Sequence, residues 1–402
     1  MSEAVRASAG SRVLTWSLAP RDPGEDHRGS TPLELLFDLC FVVAVGQAAA
    51  QLHHAVGDAH VAHGLLGYAS VFFAIWWAWM NFSWFASAYD QDDVLYRVLT
   101  LVQMAGVLVL ATGVDAAFED ENFTRVTIGY LIMRIPLIIQ WLRAASGDPA
   151  RRQVAQWYAA GLAILQLGWL GRLALSHDGA NIAFPILVLA ELTVPLLAER
   201  RGAMTPWHPE HIEERYGEFT LIVLGESVLA TMVAAKTLPV SGSTVAAGVG
   251  AMLLLFSIWW AYFDPPGSTQ MRIDERTSWL WGYGHLPIFA AVAALGAGLS
   301  VVAEVLHHEA HLSEVGAAFA VAIPVCVFHL VLTTLHSRIA EGFTLRARSI
   351  LKALGVLVVA ATAWWLPLSV VVLLMGLYQA LGLVDHTIAG RRAALRAAAA
   401  AA

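Results

Sequence analysis

Apolar residues in this chain run in long unbroken blocks separated by short polar clusters, with none of the alternation that marks half-buried strands. Crossing about 30 Å of hydrocarbon takes roughly 20 residues of helix. Blocks of that length are predicted at residues 32–52, 64–88, 94–116, 123–143, 153–175, 182–199, 216–236, 243–263, 279–303, 314–336, 350–366 and 368–387. The sixth and eleventh are the shortest. The last two are parted only by Leu-Pro-Leu around Pro367. Continuous apolar runs argue against strands, because open strands in lipid leave backbone groups unsatisfied. The pattern therefore predicts an all-α polytopic membrane protein of about twelve transmembrane helices.

Charge orients the prediction. Residues 1–30 are polar, carry Arg6, Arg12, Arg21 and Arg28, and contain no apolar core. They read as a cytosolic N-terminal tail and not a cleaved signal. With the N-terminus inside, basic residues concentrate in alternate loops and in the Ala-rich cytosolic tail 391–402. Only Arg125, Arg172 and Lys236 fall on the opposite side, and Arg134 lies mid-span. An even number of spans with both termini cytosolic follows. Composition agrees: 58% of residues are hydrophobic and 14% charged, against roughly 25% charged in soluble proteins. The net charge of −7 gives no sign of nucleic-acid binding. Cys40 and Cys326 both lie in apolar runs, which excludes a disulfide framework or a Cys-rich metal site.

An internal duplication is suggested by Ile75-Trp76-Trp77-Ala78-Trp79, which recurs as Ile258-Trp259-Trp260-Ala261-Tyr262. At a similar spacing Glu34 matches Glu218, Asp92 matches Glu275, and Gln103 matches His285. Two parallel six-helix repeats, 31–200 and 201–390, are expected.

Ionisable groups inside spans point to function by default. Glu34 and Asp38 are one turn apart, so they share a helix face. Pro32 suits the first helical position, with Ser30 or Thr31 as cap. Glu34 can be an ordinary first-turn acid near headgroup water, whereas Asp38, a turn deeper, calls for a partner or a pathway. Glu214 and Glu218 repeat the spacing at the seventh span, and Glu226 lies deeper still, after Gly225 and beside Ser227. Candidate partners are Arg134, Glu191, Gln103, His285 and His329. Asn81, Asp90, Asp92 and Asp93 line the end of the second span, where acids can hold Mg²⁺ or serve an unremarkable interfacial loop. Histidines at 53, 54, 60 and 63, and at 307, 308 and 311 with Glu309, have zinc or copper spacings, though solvated loop histidines are the simpler reading. No lysine lies mid-span and no GxxxxGK[ST] loop exists, which disfavours a retinal Schiff base and ATP-driven transport by this chain.

The stretches TPLELLFDLCFVVAVGQ, WWAWMNFSWFASAYDQDD, LTLVQMAGVLVLA and EERYGEFTLIVLGESVLA resemble the bacterial low temperature requirement A (LtrA) family, in order, over about residues 30–387. The motif positions are Glu34, Phe37, Asp38, Asn81, Trp84, Asp90, Asp92, Asp93, Gln103, Glu214, Arg215, Gly217, Glu218, Gly225, Glu226 and Ser227. Cys40 and Gly46 are minor departures. The resemblance implies a polytopic inner-membrane protein and brings no established substrate.

The expected function is a secondary transporter or channel for protons, a cation or a small solute. Its pathway would run between the two halves, lined by Glu34, Asp38, Gln103, Arg134, Glu218, Glu226, Ser227, His285 and His329. One alternative is a membrane enzyme acting on a lipid or isoprenoid phosphate, with Mg²⁺ at Asn81, Asp90, Asp92 and Asp93. Another is a non-catalytic sensor or scaffold. Expected partners are the bilayer and a small ion or solute, with a homodimer as a further option.

Overall fold

The computed structural model describes residues 15–26, 28–236, 238–264, 275–337 and 343–401. Among these residues all regular structure is helical. In chain order the α-helices are α1 (Pro32–Gly57), α2 (Val61–Tyr89), α3 (Val94–Ala111), α4 (Val114–Glu119), α5 (Thr124–Gly147), α6 (Arg152–Arg172) and α7 (His177–Glu199). They continue with α8 (Pro209–Ala235), α9 (Gly242–Phe263), α10 (Glu275–Leu306), α11 (Glu314–Ser337), α12 (Phe343–Ala361) and α13 (Leu368–Ala401). Each predicted block has its helix. Ten helices among the described residues are long and apolar enough to cross a membrane. Of the other three, α4 has only six residues, α6 carries Gln153, Gln156 and Gln166, and the apolar part of the α12 region is the shorter Ile350–Trp364. The third block, expected to run to residue 116, breaks after Ala111 into α3 and the short α4.

The outward faces confirm what the chain is built to be dissolved in. On α7, Ile182, Ile186 and Leu189 are 65%, 60% and 64% exposed at helical spacing. A water-soluble protein does not leave continuous apolar stripes of this kind uncovered.

The chain forms two compact units. The first comprises the chain up to Gln47 together with Ser70–Glu218, and the second Ala48–Ala69 together with the chain from Phe219. Helices α1, α2 and α8 supply residues to both. In the first unit α3 packs on α5, α5 on α6 and α6 on α7. Gly106 and Gly129 bring the α3 and α5 backbones into contact, and a Cβ on either would strike main-chain atoms of the other helix. Trp76, Trp77 and Trp79 of α2 are fully buried. In the second unit α9 packs on α13, with Gly250 against Gly376, and α11 packs on both α10 and α12.

The N-terminal stretch from Thr15 is docked onto helix ends. Arg28 donates to the carbonyls of Ala86, at 2.9 Å, and Ser87, which closes the last turn of α2. Leu18 is fully buried, and its N–H bonds Arg143 O at 3.2 Å.

Candidate functional site: a buried charge quartet

Helices α1 and α8 begin in the same way. Each has proline at its first position, where the missing N–H costs nothing. In α1, Thr31 caps: its Oγ1 accepts from Glu34 N at 3.3 Å, and Glu34 Oε2 reaches back to Thr31 N at 2.8 Å. This is a capping box. In α8, His208 Nδ1 accepts from His211 N at 3.3 Å, so a ring nitrogen takes the hydroxyl's place. The side chains at the next equivalent positions then meet. His211 Nε2 lies 3.3 Å from Glu34 Oε1. Arg215 Nη2 donates to Asp38 Oδ1 at 2.6 Å. Both pairs are separated by 177 residues, so two acids on α1 face two bases on α8 in one register.

All four side chains are withdrawn from solvent, Asp38, His211 and Arg215 completely and Glu34 within 1%. Trp79 Nε1 of α2 adds a second donor to Asp38 Oδ1, at 2.8 Å, and Ser83 Oγ lies 3.4 Å from Arg215 Nη2. Beside them, Trp84 Nε1 donates to Tyr216 Oη at 3.0 Å, and Phe37 stacks on Phe82. The quartet is nevertheless not saturated. Glu34 Oε1, Asp38 Oδ2, His211 Nδ1, and Arg215 Nε and Nη1 are buried without a hydrogen-bond partner. The Tyr96 hydroxyl, within electrostatic reach of Glu34 and Arg215, is likewise unpartnered. An orphaned buried polar atom costs about 1–3 kcal/mol, a penalty the quartet carries at several positions.

A second buried charge lies on the other side of α2. Glu191 of α7 accepts from Trp77 Nε1 at 2.7 Å, Trp169 Nε1 at 3.1 Å and Tyr130 Oη at 3.3 Å, and lies 3.7 Å from Arg134 Nη2. Here the carboxylate, unlike that of Asp38, is saturated, although its arginine partner is not. Arg134 Nε and Nη1 carry no partner. Nearby is a narrow cleft whose lining includes Phe73, Tyr130, Trp169 and Arg172.

The acids between α2 and α3 do not converge. Asp90 Oδ1 accepts from Asp92 N at 2.8 Å, and Asp92 adopts φ 53°, a region Asp tolerates in turns. Asp92 pairs with exposed Arg97. Asp93 caps α3 through Tyr96 N and pairs with buried Arg143. Asn81 donates to Trp77 O at 2.8 Å within its own helix. Each carboxylate thus has a local partner. Burial, helped by Glu34, pushes Asp90 up to about 6.

With this geometry in view, the chain matches the family described as Bacterial low temperature requirement A protein (LtrA) over residues 29–384. The chain belongs to the LtrA family. It is also 27% identical over 295 residues to an uncharacterized protein of Rhizobium meliloti (strain 1021), covering 69% of this chain and 70% of that one.

Other candidate residues in the LtrA protein make their hydrogen bonds outside the quartet, although Glu218 lies within electrostatic reach of Asp38 and Arg215. Gln103 is buried in the α3–α5 contact and donates to Gln140 at 3.0 Å. Glu218, half-buried, accepts from Ser30 Oγ at 2.7 Å. In the second unit Ser227 Oγ contacts Val223 O and Val292 O, tying α8 to α10. His285 Nδ1 lies 2.6 Å from Trp281 O, and His329 sits against Phe328 with Nε2 unpartnered. Glu226 is half-buried, and no ion pair is found for it among the described residues. Sequence reasoning set Glu34 beside Glu218 and began the seventh span at 216. It thereby left His211 and Arg215 in a cytosolic loop. The missed signal was Pro209: aligning it with Pro32 places His211 on Glu34 and Arg215 on Asp38.

Proposed function

We propose that this LtrA-family membrane protein is a secondary transporter or channel for protons, a cation or a small solute, with Glu34, Asp38, His211 and Arg215 as its exchange centre. One observation carries the reading: two acid–base pairs are completely buried at helix ends, yet Asp38, His211 and Arg215 each keep a polar atom with no hydrogen-bond partner. A purely structural pair gains by saturating every donor and acceptor, because the desolvation penalty is otherwise unrepaid. A centre that must give up its partner to an arriving ion or proton needs free positions. Histidine beside a carboxylate suits proton exchange near neutrality. The matched starts of α1 and α8 support a duplicated six-plus-six plan in which the first helices of the repeats meet acid to base. The even span count is the basis for cytosolic termini in a bacterial inner membrane.

Reconstituted in proteoliposomes, the wild type should carry a flux of protons, an alkali cation or a small solute. Asp38→Asn and Arg215→Gln should reduce it by about tenfold or more, the scale on which charge-assisted contacts act. Glu226→Gln tests whether the route continues along α8. Unchanged flux in both quartet variants, or no flux for any species tried, overturns the proposal. No observation favours Mg²⁺ catalysis at the α2–α3 turn, where each acid has a local partner.

A further inference from the structure

The histidine-rich loops leave one convergent group unexplained. His53 and His54 occupy the last turn of α1, and Glu304 the last turn of α10, all in the second unit. Their ligand atoms lie within 4.8 Å of one another. His53 Nε2 is 2.8 Å from Glu304 Oε1, yet it is buried and has no hydrogen-bond partner in alignment. The His53 and His54 rings are 4.9 Å apart, centroid to centroid. Two donors sharing one ion at about 2.0–2.2 Å stand roughly 3 Å apart. A close but misaligned nitrogen and oxygen fit that better than they fit a plain ion pair.

The surroundings keep the carboxylate in place. A Cβ at Gly57 would lie 2.8 Å from Glu304 Oε2, so glycine leaves open the space the carboxylate fills. The Gly57 carbonyl accepts from His311 N at 2.9 Å, and Glu309 N bonds Glu304 O at 2.9 Å, which fastens the loop after α10 to the end of α1. Of the other loop histidines, His307 lies 2.8 Å from Glu309 and His311 3.4 Å from Asp58. Asp58 adds negative charge beside the group.

We propose that His53, His54 and Glu304 bind a divalent first-row transition metal ion of the zinc class. Two imidazole nitrogens and one carboxylate oxygen suit zinc and its neighbours and disfavour Mg²⁺ or Ca²⁺, which take oxygen ligands. Three protein ligands leave a coordination position for water or an exogenous group. The site shares no residue with the quartet, so it stands whether or not the protein carries a flux.

The test uses tag-free protein in detergent, titrated with Zn²⁺ against a chromophoric chelator. Wild type should take up one equivalent. His53→Ala, His54→Ala and Glu304→Gln should each weaken binding by about tenfold or more, and the neighbouring His308→Ala should not. His54 is exposed, so its variant keeps the test sound if a buried replacement disturbs folding. Added Zn²⁺ should also raise the melting temperature of wild type and not of Glu304→Gln. No uptake by wild type, or equal uptake by the His54 and Glu304 variants, overturns the proposal.

Discussion

Asp38 and Arg215 show how much a single side chain is asked to do in this protein. Either one alone would be an unpaired charge in a low-dielectric interior, and breaking a buried pair costs about 3–5 kcal/mol. Arg215→Met should therefore destabilise the protein by that amount, measured by denaturant or thermal unfolding in detergent. The double variant Asp38→Leu with Arg215→Met should recover most of the loss, since both charges are gone. Flux should not recover with it. A double variant that regains both stability and flux would show the pair to be a brace. Glu191, with donors on every side, is the internal comparison for a saturated carboxylate.

Among the elements, the turn that joins α2 to α3 carries three acids in four residues, a pattern open to oxygen ligation or to an ordinary interfacial loop. The structure spends them on a turn, an exposed pair with Arg97 and a helix cap. Asp90 keeps a consequence of its burial. Its folded value near 6 stands above the ordinary 3.8, so the folded state holds the proton over that window and the unfolded state does not. Its contribution to stability is complete below about pH 4 and is lost as pH rises through about 6. Asp90→Asn cannot ionise and can still accept from Asp92 N. Its melting temperature relative to wild type should rise between about pH 4 and about pH 7.5. A difference independent of pH would contradict the assignment. Helix α8 teaches the complementary lesson. Its last apolar residues were plain in the sequence, but its first two turns, HPEHIEERYGE, looked too polar to be buried. Within them His211 and Arg215 are buried because α1 offers acids in matching register, while Glu214 stays exposed.

At the scale of the whole molecule, α6 decides how many times the chain crosses. Its 21 residues are long enough, at about 1.5 Å per residue, to traverse hydrocarbon. Its glutamines lower its hydropathy without shortening it. With Cys40 and Cys326 replaced, single cysteines at the exposed positions Ala150 and Ser176 should react with an impermeant thiol reagent from opposite sides of the membrane. Labelling from the same side would remove α6 from the set of spans and reverse the orientation of everything after it.

What the sequence determined alone was the kind of solvent and the kind of element. Hydropathy and helical length are local quantities, summed over neighbours in the chain, and they located every long helix. The family was legible too, because its motifs are contiguous. The partners of Glu34 and Asp38 were not, nor was the approach of Glu304 to His53 and His54. Those pairings join positions 177 and about 250 residues apart. Only packing chooses which acid meets which base, because a buried charge takes whatever counter-charge the fold brings within reach.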